Sequence, residues 1–159
     1  MPAPNLATLY QFEGQLDAAF ASVLSASGTP AFFAHTTEEK PADRIEVMAE
    51  IGAATDQLAT NKEFNTYNFN LTATAYTQRD LDEPLPTRHR WLVGQIRARL
   101  SVLNSAANFT SGNLPYLQLL KLVPAGSASD FDNAQDRAQD ITRLQYAGQF
   151  AIISTAWPA

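Results

Sequence analysis

The chain carries two histidines, His35 and His89, and no cysteine. Lacking thiols, it has no disulfide, thiolate metal site or cysteine nucleophile. His35 is followed by Thr36, Thr37, Glu38 and Glu39, so an imidazole and two carboxylates stand close together in sequence. That grouping is the raw material of acid–base or metal chemistry. A metal site needs about three or four ligands, and no second histidine lies nearby, so a structural or solvent-facing His35 is expected. His89 sits between Arg88 and Arg90, cations that oppose a metal ion. Asp130, Asp132 and Asp136 resemble the start of a calcium loop. However, Ala134 occupies a position where an EF-hand loop needs a ligand, and Gln135 the position that needs glycine. Asp80, Asp82 and Glu83 offer paired carboxylates of the hydrolase kind, but in a proline-bounded segment whose sequence shows no apolar wall to raise an acid's pKa. No HExxH, Walker A, GxGxxG or GxSxG pattern occurs. The expectation is a protein that binds other protein surfaces and is not an enzyme, with no metal and no cofactor. The competing readings are a small hydrolase built on His35 with Glu38 or Glu39, and an ordinary ligand-binding α+β domain.

The 159 residues fit one domain, 1–159, and 45% hydrophobic against 17% charged residues is a globular balance. The formal net charge of −5 argues against general nucleic-acid binding. Its distribution says more than its sum. Residues 84–129 hold no acid but contain Arg88, Arg90, Arg97, Arg99 and Lys121, a block of +5 that leaves −10 on the remainder. Such polarity suits complementary contacts between copies or neighbours. The N-terminal MPAPNLATLYQFEG has neither a basic start nor a long apolar run, so no signal peptide is expected. No stretch approaches the roughly 18 apolar residues of a membrane span.

Hydrophobic periodicity sets the elements. Asn5 is a plausible cap and Gly28 a plausible stop for a first helix, along which Leu9, Phe12, Leu16, Phe20 and Val23 form an apolar stripe. Its opposite side carries Gly14, Ala18, Ala21 and Ser25. A short apolar run, Ala31 to Ala34, precedes a charged turn. Ile45, Val47, Ala49 and Ile51 then alternate with Arg44, Glu46, Met48 and Glu50, the pattern of a half-buried strand. Gly52 to Lys62 reads as a loop. In the cleanest alternation Tyr67, Phe69, Leu71, Ala73 and Ala75 face one way. Asn68, Asn70, Thr72, Thr74 and Tyr76 face the other, an uncharged polar surface that suits a partner. Thr87 can cap a second helix running to about Asn104. Tyr116 to Val123 reads as a strand that Pro124-Ala125-Gly126 breaks. Asp130 to Gln139 is expected to form a turn or short helix. Leu144, Tyr146, Phe150 and Ile152 then alternate in a last strand reaching Trp157. The order is α-β-β-β-α-β-β: an α+β fold with a mostly antiparallel sheet and two main helices packed on it.

The second helix has two apolar faces. At about 100° per residue, Leu92, Val93, Ile96, Leu100 and Leu103 cluster as a core stripe, while Trp91, Gln95, Ala98 and Val102 cluster opposite. Arg88 and Arg99 occupy one seam between these faces, Arg90 and Arg97 the other. A helix on the edge of a small core needs one apolar stripe. A second stripe bearing tryptophan needs another partner, either a loop of the same chain or a second protein. Trp and Arg are enriched where interfaces concentrate their energy. The interface residues expected are therefore Trp91, Val102, Arg88, Arg90, Arg97 and Arg99, with the acids Asp80, Asp82 and Glu83 as their counterparts on a neighbour.

Three segments, in this order and spacing, resemble small phage neck and tail proteins, especially the tail terminators of long-tailed phages. They are Asp43-Arg44-Ile45-Glu46-Val47; Tyr67 to Arg79 with the arginine-rich helix after it; and Leu114-Pro115-Tyr116-Leu117 with the closing Tyr146 to Pro158. The resemblance spans most of the chain through short structural motifs. It implies a non-enzymatic virion protein, made in the host cytoplasm, whose α+β subunits form a hexameric ring. In that family the ring ends tail-tube growth and joins the tail to head-completion or stopper proteins. DNA passes through such a ring without sequence-specific contact. A different neck component, stopper or adaptor, is the nearest alternative, though adaptors are usually more helical.

Overall fold

The alternating stretches become strands that share one buried face. A computed structural model describes residues 6–25, 28–33, 40–51, 59–61, 66–78, 86–103, 117–131 and 139–152. Their order is α1 (Leu6–Ser25), β1 (Ala31–Phe33), β2 (Arg44–Ile51), β3 (Ala59–Asn61), β4 (Thr66–Gln78), α2 (Thr87–Ser101), β5 (Leu117–Phe131) and β6 (Gln139–Ile152). The strands form one sheet in the order β1-β2-β4-β6-β5, with β3 joined to β4. The β1–β2 pair is parallel and the other pairs are antiparallel. The α+β class and the antiparallel sheet are thus as the sequence indicates. β3 adds a three-residue strand within the segment expected to be a loop.

Register explains the core. Ala73 of β4 lies opposite Val47 on one side and Leu144 on the other; Leu71 lies opposite Ala49 and Tyr146. Opposed residues share a face, so the odd positions of β4 from Tyr67 to Ala75 join Ile45, Val47, Ala49 and Ile51 of β2 and Leu144, Tyr146 and Phe150 of β6 in one buried layer. Leu16, Ala19, Phe20 and Leu24 of α1, and Leu92, Val93, Ile96 and Leu100 of α2, close over it. Burying each large aliphatic side chain contributes about 1.5–3 kcal/mol. α1 packs on β1 and β2, and α2 on β4 and β5. Both helices therefore lie on one face of the sheet and neither covers the other face.

Several boundaries differ from the sequence reading, each for a local reason. β5 does not stop at Pro124; it continues to Phe131, because register shifts at Leu119/Lys121 and Pro124/Gly126 absorb the irregular residues as bulges in an edge strand. β6 begins at Gln139 because the alternation continues through Asp140 and Thr142, polar residues buried on the core face that a hydrophobic pattern does not register. α2 starts at Thr87 itself. Pro86 stands at the cap position without a side-chain cap, and its carbonyl accepts the Arg90 N–H at 3.0 Å, so Thr87 is already inside the first turn. α1 ends before Gly28, whose φ of 93° admits the turn. Its small-residue side is divided, since Ala21 packs in the core while Gly14, Ala18 and Ser25 are exposed. Asn5, the 132–138 segment and Trp157 lie outside the described residues.

One sheet edge is closed by side chains. β1 pairs only with Ile45 to Val47 of β2. Where it stops, carboxylates of α1 take over: the Ala49 N–H donates to Asp17 Oδ1 at 2.6 Å and the Ile51 N–H to Glu13 Oε2 at 2.8 Å. These bonds satisfy backbone donors that would otherwise invite a foreign strand.

Candidate protein interface

α2 presents the two faces expected of it. Leu92, Val93, Ile96, Leu100 and Leu103 are buried, whereas Trp91 is 55% and Val102 58% exposed. The segment that could cover this face from within the chain, Gly52 to Lys62, lies outside the described residues except for Ala59–Asn61. Ala98 between them is exposed and Gln95 half-buried, which completes an outward strip about three turns long at 3.6 residues per turn. Among the described residues, Trp91, Val102 and Leu120 are the large hydrophobics most open to solvent.

The arginines beside this strip have separate roles. Arg90 and Arg97 are exposed. Arg97 walls a groove of about 430 Å³ between α2 and β5, floored by Leu100, Leu122 and Leu144. Arg88 works within the chain. Its Nη2 reaches both carboxylate oxygens of Asp43 at 3.3 Å and donates to the Gln78 carbonyl. Asp43 also accepts the Gln78 N–H at 2.8 Å. This clamp ties the entrance of β2 to the end of β4 and the first turn of α2. It also places a carboxylate beside a helix N-terminus whose own first turn has no acid, where negative charge is favourable. Arg99 is half-buried. Asp80, Asp82 and Glu83, the acids expected opposite these arginines, lie outside the described residues, as do His35, Glu38, Glu39, Asp132 and Asp136.

The sheet face away from both helices forms a concavity of about 600 Å³ lined by Met48, Glu50, Asn70, Thr72, Thr74 and Gln145 among others. Its charged end is organised around Glu46, which accepts hydrogen bonds from Lys40 and, at 3.3 Å, from Arg44 Nε. The Arg44 guanidinium lies 4.0 Å from the centre of the Tyr76 ring. Burial pushes the Glu46 carboxyl up, but hydrogen bonds from Lys40, Tyr76 and Arg44 outweigh it and hold the pKa below the usual value. Tyr76 is pushed up, first by burial and then by Glu46.

A buried polar line runs beneath α2. His89 is 1% exposed; its Nδ1 is 2.8 Å from Thr77 Oγ1 and its Nε2 2.7 Å from Thr142 Oγ1, which lies 3.0 Å from Ser129 Oγ. A histidine bonded to hydroxyls is the starting arrangement of nucleophilic catalysis; here the ring is buried beneath the helix. The sequence reading missed its role. The signal was present in the spacing 89, 92, 93, 96, which puts His89 on the core stripe. Among the described residues no group of three or more His, Asp or Glu side chains could hold a metal ion. No helix among them is long and apolar enough to cross a membrane.

With this geometry in place, known proteins give one kind of match. No family model matches the sequence, and no curated protein does. Solved structures do match. One is a chain of the virion of a native gene transfer agent particle, aligned over 87% of this chain and 90% of that one, with a TM-score of 0.53 at 11% identity. The two chains share a fold. At that identity the likeness concerns backbone architecture.

Proposed function

We propose that the chain is a structural subunit of a virion, a non-catalytic protein that works through contacts with copies of itself and with neighbouring virion proteins. The observation that carries this reading is the fold shared, over nearly the whole length of both chains, with a component of a virion particle. The uncovered Trp91–Val102 strip supports it, since a solvent-exposed tryptophan on a helix whose other side is fully buried is the kind of anchor that interfaces use.

The finer form of the proposal follows the resemblance in the sequence. The subunit is a tail terminator: six copies form a ring that caps the tail tube and meets a head-completion or stopper protein. Arg90 and Arg97, exposed beside the strip, meet acidic surface on a neighbour, with Asp80, Asp82 and Glu83 as the candidates. The test is the native mass of the purified protein, alone and with assembled tails, followed by electron microscopy. A ring seated at one end of the tail tube is the expected result. A strictly monomeric protein absent from purified particles would remove both the coarse and the fine forms.

A further inference from the structure

The polar line beneath α2 joins four elements: His89 meets hydroxyls of β4 and β6, and the β6 hydroxyl meets one of β5. His89 is in the first turn of α2, Thr77 near the end of β4, Thr142 near the start of β6, and Ser129 in β5. A neutral imidazole has one donor nitrogen and one acceptor nitrogen, and here each meets a hydroxyl that can take the complementary role. The neutral form therefore satisfies both contacts while introducing no charge under the helix.

We propose that His89 is an acid-sensitive latch, holding the first turn of α2 on the sheet while neutral and releasing it when protonated. A second proton makes both ring nitrogens donors and turns both threonine hydroxyls into acceptors. It also places a full positive charge in a site that is 1% exposed. The carboxylates facing the ring are Asp140 of β6, itself 1% exposed, and Asp43 ahead of β2. Among the described residues, β4 and β5 bring the hydroxyls of Thr77 and Ser129. α2 brings the cations Arg88 and Arg90, and Arg88 is already bonded to Asp43. Burial lowers the His89 pKa, and the two carboxylates oppose it without overcoming it.

The released, hydrated imidazole takes its proton near the ordinary value of 6.5, before the docked one does. As pH falls through that value, opening becomes coupled to proton uptake, and attachment weakens until the docked ring itself titrates. Trp91 lies two residues further on, so the same event alters how the outward strip of α2 is presented. The latch is a property of the isolated chain and does not depend on what the strip binds.

Two measurements on the intact protein test it. The first is an NMR titration of the His89 ring, whose signals are identified by their loss in His89→Gln. The second is amide exchange in the first turns of α2, corrected for the intrinsic effect of pH. The latch requires a ring midpoint below 6.5. It also requires an opening equilibrium that rises by up to about tenfold per pH unit, the limit for one proton bound on opening. In His89→Gln, whose amide can donate and accept but does not titrate, that rise disappears. A ring midpoint at or above the ordinary value overturns the proposal, and so does an acid response of α2 that persists in His89→Gln. If the variant fails to fold, the His89 ring is identified as the signal that persists in His35→Gln, and the titration and exchange of the wild-type chain still decide.

Discussion

The Phe69 ring occupies the space above Gly148, its direct partner across the β4–β6 ladder. A Cβ added at Gly148 would stand 2.5 Å from Phe69 Cε1 and 2.9 Å from the Lys121 carbonyl oxygen. The ring cannot swing away, because Phe20 and Phe150 hold it at centroid distances of 5.9 and 6.0 Å. Gly148→Ala is therefore expected to cost about 1–3 kcal/mol as an overpacked site. Phe69→Ala, which empties a fully packed position, is expected to cost about 3–5 kcal/mol, much of a typical total of about 5–15 kcal/mol. In the double variant the new methyl finds the space the ring leaves. Urea titrations should thus show a combined loss smaller than the sum of the single losses. Strict additivity would mean that the two residues do not share this space.

Asp17 and Glu13 guard the β2 edge. Asp17→Ala leaves the Ala49 N–H without its 2.6 Å partner in a half-buried place, at a cost of about 1–3 kcal/mol. It also uncovers backbone donors beyond the end of β1. The expected outcome is a lower urea midpoint together with concentration-dependent scattering, stronger when Glu13→Ala is added. A variant that matches wild type in both would show that the carboxylate contributes nothing to closing the edge.

How much of this was legible in sequence depends on what each side chain meets. The odd positions of β4 and the core stripe of α2 were plain, because their apolar residues recur at the period of the element that buries them. The outward strip was plain for the same reason. His89, Asp140 and Thr142 were not, because their burial depends on hydrogen-bond partners contributed by β4, β5 and β6, and no local pattern encodes those pairings. The Arg88 contacts to Asp43 and Gln78 are equally hidden, since these residues adjoin it only after β2 and β4 pair. The Glu46 cluster was likewise hidden: Arg44 meets Tyr76 because the ladder sets them opposite each other.

Glu46 gives a pH dependence of its own. Its carboxyl is more acidic in the folded chain than the ordinary 4.5, because the hydrogen bonds from Lys40, Tyr76 and Arg44 outweigh burial. As pH falls, the unfolded chain takes the proton first. The contribution is therefore fully present above about 4.5 and is lost as pH drops through the lower folded value. Glu46→Gln should lower stability at neutral pH and flatten the part of the stability profile below about 4.5. The His89 window, which opens near 6.5, should remain. An unchanged acid limb in Glu46→Gln would assign that limb to other carboxylates.

Trp91 and Val102 stand on the side of α2 away from Leu92, Ile96 and Leu100, so substitutions on the strip leave the core stripe intact. A buried interfacial tryptophan often contributes about 2 kcal/mol or more, and a carboxylate placed in a desolvated apolar contact adds a further penalty. Trp91→Glu is thus expected to leave the isolated chain as stable as wild type, within about 0.5 kcal/mol for an exposed site, while weakening association by about 30-fold or more, the equivalent of 2 kcal/mol. Salt should weaken assembly as well if Arg90 and Arg97 meet acids on a neighbour, though modestly, since exposed pairs are worth about 0–1 kcal/mol each. The measurements are light scattering of the purified proteins and incorporation into particles, compared side by side. Arg97→Glu on the same surface should move association in the same direction, and a compensating Asp82→Lys or Glu83→Lys in the same chain should restore part of it. If Trp91→Glu associates and incorporates as wild type does, the outward strip of α2 is not the contact surface, and the interface lies on another face, the uncovered side of the sheet being the next to test.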